Sequence, residues 1–328
     1  MGWARQVERK FRHCLQDMGL KPAVSARASL KALHAQAETQ LMLQGNLLAR
    51  TVAALPVATP IQAAEFKCFS QFGEDGIIQF LIQKLRIKET IFVEFGVEDY
   101  REANTRFLMA NNYWSGLVMD GSARNIQRIK DSDYYDKFNL KALCAWITRD
   151  NINDLIRSAG ISGPIGLLSI DLDGNDYWVW EAITAVDPVL VVCEYNNLFG
   201  PDRAVSIPYS ASHTWDGCQY AGASLKAICL LAEKKGYGFV GSALAGNNAF
   251  FVRRDRLGGL ALADPQADFR RACFRGGRNP MDRARFLERE QGLEAMADRE
   301  LVDVATGERG SVRDLLAAEF RRAWAPGQ

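Results

Sequence analysis

Several things are missing from this sequence, and each absence removes a class of function. There is no excess charge of one sign: 40 Lys+Arg against 39 Asp+Glu leave a net charge of +1. No overall field therefore draws the chain to nucleic acid or to an anionic membrane. Long apolar runs are missing too, and no window approaches the ~18 residues that a membrane span needs. The first stretch, "MGWARQVERKFRHCLQDMG", is charged throughout and has no apolar core. That argues against a secretory signal, and the absence of Ser or Thr near Gly2 argues against myristoylation. Paired cysteines are absent: the seven (14, 68, 144, 193, 218, 229, 273) are scattered with no C-x-x-C, several inside apolar runs such as "VVCEY". Neither a disulfide framework nor a zinc site follows from such spacing, and a reducing, cytoplasmic compartment is expected. Histidines number only three, His13, His34 and His213. No internal repeat and no low-complexity tract occurs.

What is present is an ordinary globular composition, 48% hydrophobic and 24% charged over 328 residues. It suits one large α/β domain with additions, or two small domains. The texture changes twice. Residues 1–65 read as helices ending in "ALPVATPIQAAE", with Leu30, Leu33, Ala37 and Leu41 at three- and four-residue steps. That stripe either packs on the main domain or pairs with another subunit in a homo-oligomer. Residues 256–328 read as a helical appendage of Arg-rich amphipathic segments, the last opening on a Ser-x-x-Asp cap.

Between them, residues 66–255 alternate β-type runs with helical patterns. The runs are "TIFVEF", "SGLVMD", "LKALCAWI", "PIGLLSID" and "PVLVVCEY", ending roughly 25 residues apart, the length of a strand, a crossover helix and two short loops. Apolar runs without alternation belong to strands covered on both faces. "ASLKAICLLAEKKG" is then a helix with a glycine cap, and "YGFVGS" with "NNAFFVRRD" a closing antiparallel pair. The expectation is an α/β fold, doubly wound, with a mostly parallel seven-stranded sheet and helical N- and C-terminal extensions.

In such a sheet ligands bind outside the carboxyl ends of the strands. Four of the five parallel runs finish in acids: Glu94, Asp120, Asp171 with Asp173, and Glu194. Loop starts favour Asp, but that explains one or two of these better than four. The strand–Gly turn at Gly96 lets a ligand approach the backbone. Asp120, 26 residues after Glu94, is placed to hydrogen-bond ribose hydroxyls. The turn "EFGVEDYREAN" is no G-x-G-x-x-G, and Glu98 and Asp99 sit where a pyrophosphate needs bare amides. A cationic cofactor without phosphates, such as S-adenosylmethionine, suits these acids better than NAD.

With "FSQFGEDGIIQFLI" ahead of the first strand, and "DLDGNDYWVWEAI" and "PVLVVCEYN" in order behind it, the chain resembles the FkbM-type class I S-adenosylmethionine-dependent O-methyltransferases over residues 67–253. One departure is Val97–Tyr100, where the family has a turn rich in small residues. The resemblance implies methylation of a hydroxyl on a sugar, a glycan or another small molecule, in surface-polysaccharide or natural-product synthesis. It also implies cofactor contacts: Gln71 at the methionine end, Glu94 and Gly96 along the cofactor, Asp120 at the ribose, Trp146 at the adenine. Gln71 otherwise belongs to a helix start and Trp146 to the core. Asn104 either contacts the cofactor or caps a helix.

Methyl transfer to a hydroxyl needs orientation and removal of a proton, by a base or by a metal that acidifies the oxygen. Asp171 and Asp173, two apart on extended chain, and Glu194 on the neighbouring strand make an all-oxygen set. That set suits a divalent metal, Mg²⁺ or Mn²⁺ among them, or hydrogen bonds to substrate or cofactor. Asp176 and Asn175 read as helix-start residues. His213, in the long loop with Arg203, Tyr209 and Trp215, is the candidate general base, and that loop the candidate acceptor platform. Two rival functions remain: a metal-dependent glycosyltransferase using the Asp-x-Asp at 171–173, and a non-catalytic binding module.

Overall fold

A computed structural model of the chain describes residues 23–272, 278–279 and 282–323. The expected first helix with His13, and the segment around Cys273, lie outside the described residues. The chain divides into two compact units, residues 1–47 and 48–328. In the first, the described part belongs to helix α1 (Ala23–Ala54), where Leu30 and Leu33 are exposed.

The second unit holds the sheet. Its first strands are β1 (Ile91–Phe95), β2 (Ser115–Asp120), β3 (Leu140–Cys144), β4 (Gly163–Ile170) and β5 (Val186–Glu194). Then follow the two-residue β6 (Val205–Ser206), β7 (Tyr237–Ser242) and β8 (Asn248–Arg253). Helices α2 (Glu74–Lys84), α3 (Arg106–Asn112), α4 (Ala123–Lys130), α5 (Ile152–Ser158), α6 (Asp176–Ala182) and α7 (Leu225–Lys234) connect them. The sheet order is β3-β2-β1-β4-β5-β8-β7. Only β8 runs against the others, antiparallel to both neighbours. This is the doubly wound, mostly parallel seven-stranded sheet expected, with its order reversing between β1 and β4.

The apolar strand runs explain the layering. Leu167, Leu168 and Ile170 in β4 and Val189–Cys193 in β5 are all essentially buried, as strands covered on both faces must be. Val93, Phe95, Leu117, Met119 and Leu168 share a core with Ile152 and Ile156 of α5, Trp180 of α6 and Ile228 of α7. Ser224 caps α7 by accepting the Ala227 amide, and Gly236 lies just beyond its end.

The segment before β1 is organised by one carboxylate. Asp75 Oδ2 accepts the amides of Cys68, Phe69 and Ser70 and the Ser70 hydroxyl, while Asp75 Oδ1 is buried without a partner. The helix begins at Glu74 with Gly73 as its cap residue. Burial pushes the Asp75 carboxyl up to about 6 from an ordinary 3.8, against the pull of those donors. The folded chain therefore holds this proton more tightly than the unfolded one, and stability falls as pH rises from about 4 to about 6. The loss is about 3 kcal/mol at about 1.36 kcal/mol per pH unit. Urea unfolding of the wild type and Asp75→Asn at pH 4 and 6.5 should show that extra decline in the wild type alone; equal declines would refute it.

The C-terminal region departs from the helical expectation. It holds β9 (Arg278–Asn279), β10 (Asp282–Phe286), β11 (Glu300–Asp303) and β12 (Arg309–Ser311). Its helices are α8 (Arg289–Ala295), α9 (Val312–Leu315) and α10 (Ala317–Ala323). Strand β11 pairs with β12 and with β6, so this region continues a small sheet begun in the loop after β5. A second core of Phe199, Val205, Ile207, Leu293, Met296, Leu301 and Val312 cements the two. Several of the described arginines form ion pairs here, such as Arg289 with Glu319 and Arg322 with Asp202.

Candidate active site

Strand register decides which acids reach the cleft. Phe95 pairs with Met119 and with Ile170, and Ile170 with Cys193. One residue further, Asp120, Gly96, Asp171 and Glu194 fall on a single rung at the end of the sheet. Beyond that rung lies a cleft of about 280 Å³, close to the lower end of the roughly 300–1,000 Å³ of ligand pockets. Gly96, Asp120, Gly121, Trp146, Asp171 and Asp173 line it, and His213 and Trp215 come from the loop after β6. None of the lining residues is a lysine or an arginine.

The turns around the cleft are tied together. Asp120 Oδ2 accepts the Glu98 amide at 2.9 Å, while Oδ1 accepts the Ser122 amide at 2.7 Å and the Asn125 side chain at 3.2 Å. Gly96 has φ +76, and a Cβ built on it would lie 1.6 Å from the Asp171 carbonyl oxygen, so the turns after β1 and β4 touch. Glu98, Tyr100 and Asp173 also take left-handed backbone conformations that are costly for side-chain-bearing residues and gather at functional sites. The altered turn Val97–Tyr100 is thus held by Asp120 rather than by small residues.

Glu94 departs from expectation. Two rungs below the sheet end, it is 4% exposed and does not line the cleft. Its carboxylate accepts the amides of Asn104 and Thr105 and the hydroxyls of Thr105 and Ser169. Burial raises its carboxyl above the ordinary range despite those donors. Asn104 donates its side chain to Ser169 and does not line the cleft either. Gln71 accepts the Asn247 side chain at 3.2 Å, also outside the lining. Trp146 is not core: it is 51% exposed, and its indole donates to the Ala211 carbonyl at 2.7 Å.

The acid cluster differs from the set expected by one member. Among the described residues, Asp171, Asp176 and Glu194 each bring a carboxylate oxygen within 4.8 Å of the others. Asp176 takes the place expected of Asp173, which lies outside this group. The exchange follows from the turn: Asp176 is wholly buried at the start of α6, and its carboxylate reaches back to accept the amides of Leu172 and Gly174. Helix start and cluster member are therefore one role. Burial first, then repulsion from Asp173 and Asp176, holds the Asp171 carboxyl well above the carboxylate range. Burial, then Asp171 and Asp176, does the same to Glu194. Neutral carboxyls, or a cation among them, relieve that repulsion.

His213 is bound to the same turn, its Nε2 3.1 Å from the Asp173 carbonyl oxygen. The loop that carries it is pinned further by Asn175 Nδ2 donating to Ser210 O and Trp178 Nε1 donating to Ile207 O. Arg149 stacks on the Tyr209 ring at 4.1 Å. Arg203 is not part of this platform; its guanidinium pairs with Glu308 at 2.7 Å in the C-terminal region. Trp215 is in the lining, 46% exposed.

No family profile matches the chain, and no curated protein matches it. Solved structures do. The N-terminal domain of EvdMO1 with bound S-adenosylhomocysteine is similar at 12% identity and TM-score 0.39, over 56% of this chain and 80% of that one. A S-adenosylmethionine-dependent methyltransferase from Clostridium acetobutylicum ATCC 824 is similar at 8% identity and TM-score 0.36, over 55% and 89%. A putative O-methyltransferase from Klebsiella pneumoniae is similar at 11% and 0.35, over 64% and 87%. At such values the cleft is read from its own side chains.

Proposed function

We propose that the chain is a S-adenosylmethionine-dependent O-methyltransferase acting on a hydroxyl of a sugar, glycan or similar small molecule, with residues 66–255 as its catalytic part. One observation carries the reading: a cleft at the carboxyl ends of parallel strands, lined by Asp120, Asp171 and Asp173 and by no lysine or arginine. An acidic cleft without cationic side chains favours a cation without phosphates and disfavours a pyrophosphate. In this reading Asp120 holds the ribose, Gly96 and Gly121 let the cofactor lie against the backbone, and Trp146 flanks the adenine. Glu94, Asn104 and Gln71 brace the neighbouring turns instead of touching the cofactor. Trp215 and His213 face the acceptor, His213 as the base. Asp171, Asp176 and Glu194 fit a divalent ion with their oxygens; such an ion, when bound, makes a hydroxyl more acidic.

The glycosyltransferase alternative would use Asp171 and Asp173, which both line the cleft, whereas the three acids that gather within 4.8 Å are Asp171, Asp176 and Glu194. The test is calorimetric titration of EDTA-treated, dialysed protein with S-adenosylmethionine and S-adenosylhomocysteine, with and without Mg²⁺ or Mn²⁺. Micromolar binding of both is expected, about 100-fold weaker in Asp120→Ala, which is about 2.8 kcal/mol at 1.4 kcal/mol per decade. No binding of either, with binding of a UDP- or GDP-sugar, sinks the proposal.

A further inference from the structure

His213 lies against the turn after β4 in a way that fixes more than its position. A carbonyl oxygen only accepts hydrogen bonds, so the 3.1 Å contact between His213 Nε2 and the Asp173 carbonyl requires the hydrogen on Nε2. A neutral imidazole carries one such hydrogen, which leaves Nδ1 with its lone pair bare.

The ring's seat is equally specific. A Cβ built on Gly174 would fall 2.2 Å from His213 Cδ2 and 2.5 Å from His213 Nε2. The imidazole edge therefore occupies the space that any side chain at 174 would fill. The carbonyl it meets is aimed by the left-handed backbone of Asp173, φ +49. That turn is locked from beneath by the Asp176 carboxylate, which accepts the amides of Leu172 and Gly174. On the loop side, the His213 amide donates to Ser210 O, which also accepts from the Asn175 side chain.

Building on the methyltransferase reading, we infer that Nδ1 of His213 is the atom that takes the substrate hydroxyl's proton, with the main chain of Asp173 and the bare Cα of Gly174 as the positioning residues. In the transfer, a lone pair of the substrate oxygen forms the new C–O bond to the methyl carbon. The C–S bond breaks with its electron pair going to sulfur, which becomes a neutral thioether. The O–H proton passes to Nδ1, and the resulting imidazolium keeps its Nε2 hydrogen bond to the Asp173 carbonyl. In this assignment Asp173 serves through its carbonyl.

The device is open to measurement without knowing the acceptor. The full chain, labelled with ¹⁵N at histidine, is recorded by long-range ¹H–¹⁵N correlation at about pH 8, where an ordinary imidazole is neutral. The spectrum is taken free and with S-adenosylhomocysteine, and His213→Gln assigns the His213 signals; Gln keeps an amide donor for the Asp173 carbonyl, so the loop stays docked. The expected pattern is a single tautomer, protonated at Nε2 and bare at Nδ1. Gly174→Ala, checked for folding by its thermal transition, should convert it to the averaged pattern of an unanchored ring. A wild-type ring protonated at Nδ1, or already averaged, overturns the inference. Failure of S-adenosylhomocysteine to bind would count against the methyltransferase reading, while the tautomer of the free chain still decides this one.

Discussion

Gly96→Ala is expected to weaken S-adenosylmethionine and S-adenosylhomocysteine binding by more than 100-fold and to lower the unfolding free energy by several kcal/mol. Two costs add. The first is the left-handed backbone, φ +76, which costs roughly 1–2 kcal/mol for a residue with a Cβ. The second is larger: the new Cβ would stand 1.6 Å from the Asp171 carbonyl oxygen, a main-chain atom that cannot rotate away. The turns after β1 and β4 must part by more than an ångström to restore an ordinary contact. Asp171 moves with one of them and Glu98, the amide held by Asp120, with the other. Misplacements of that size in a site built for contact with its ligand cost about 100-fold or more. Gly163→Ala is the control: it has φ +71 but nothing within 4 Å of the added Cβ, and it lies at the opposite end of β4. It should pay only the backbone cost and leave binding unchanged. Calorimetry on both variants, with urea unfolding, separates the outcomes. Binding by Gly96→Ala within threefold of wild type would mean that the cofactor does not lie over this turn.

The strand runs are legible in the sequence because strands covered on both faces cannot alternate. "SGLVMD" and "YGFVGS" match β2 and β7 residue for residue, and β4 and β5 differ from expectation only at their ends. Rung depth is not legible. Glu94 and Asp120 both look like strand-end acids, but Glu94 sits level with Val118, two residues before the end of β2, and is consumed by the turn beside it. Only the register separates Asp120 at the cleft from Glu94 two rungs below it. Asp176 fails for a related reason: a carboxylate at a helix start reads as a cap, and its meeting with Glu194 on the next strand depends on how the turn folds back. The C-terminal region misleads through its charge pattern. Arginines at helical spacing suggest a solvated helix, whereas "ELVD" forms a strand against β6, inside the loop after β5, and "RGS" pairs with "ELVD" in turn. The region's contacts with the loop after β6 are visible only in three dimensions: Arg299 pairs with Asp216, and the Tyr220 hydroxyl donates to the Glu300 carbonyl.

The second large effect concerns charge. S-adenosylmethionine is a sulfonium cation and S-adenosylhomocysteine its neutral thioether, with ribose, adenine and amino-acid parts in common. Asp171 and Glu194 stand well above the carboxylate range because burial and their neighbours oppose ionisation. A cation in the cleft reverses that opposition, so the folded, sulfonium-bound protein should hold these protons less tightly than the free protein. Binding then releases protons, and by linkage its affinity must rise with pH across the window in which the free cluster titrates. That window lies above the ordinary carboxylate range, reaching upward from the point where an exposed aspartate is fully ionised. The slope for one proton released is about tenfold per pH unit. The neutral product lacks the charge and should show little of this slope, so the ratio of the two affinities moves toward the substrate as pH rises. Asp171→Asn removes the cluster member that lines the cleft and should flatten the ratio, while Asp120→Ala, at the proposed ribose contact common to both ligands, should weaken both and leave the ratio's slope intact. Isothermal titration at several pH values, in buffers of different ionisation enthalpy, counts the protons directly. Equal slopes for sulfonium and thioether in the wild type would show that the acid cluster does not sense the reacting sulfur. The negative lining would then belong to acceptor recognition instead.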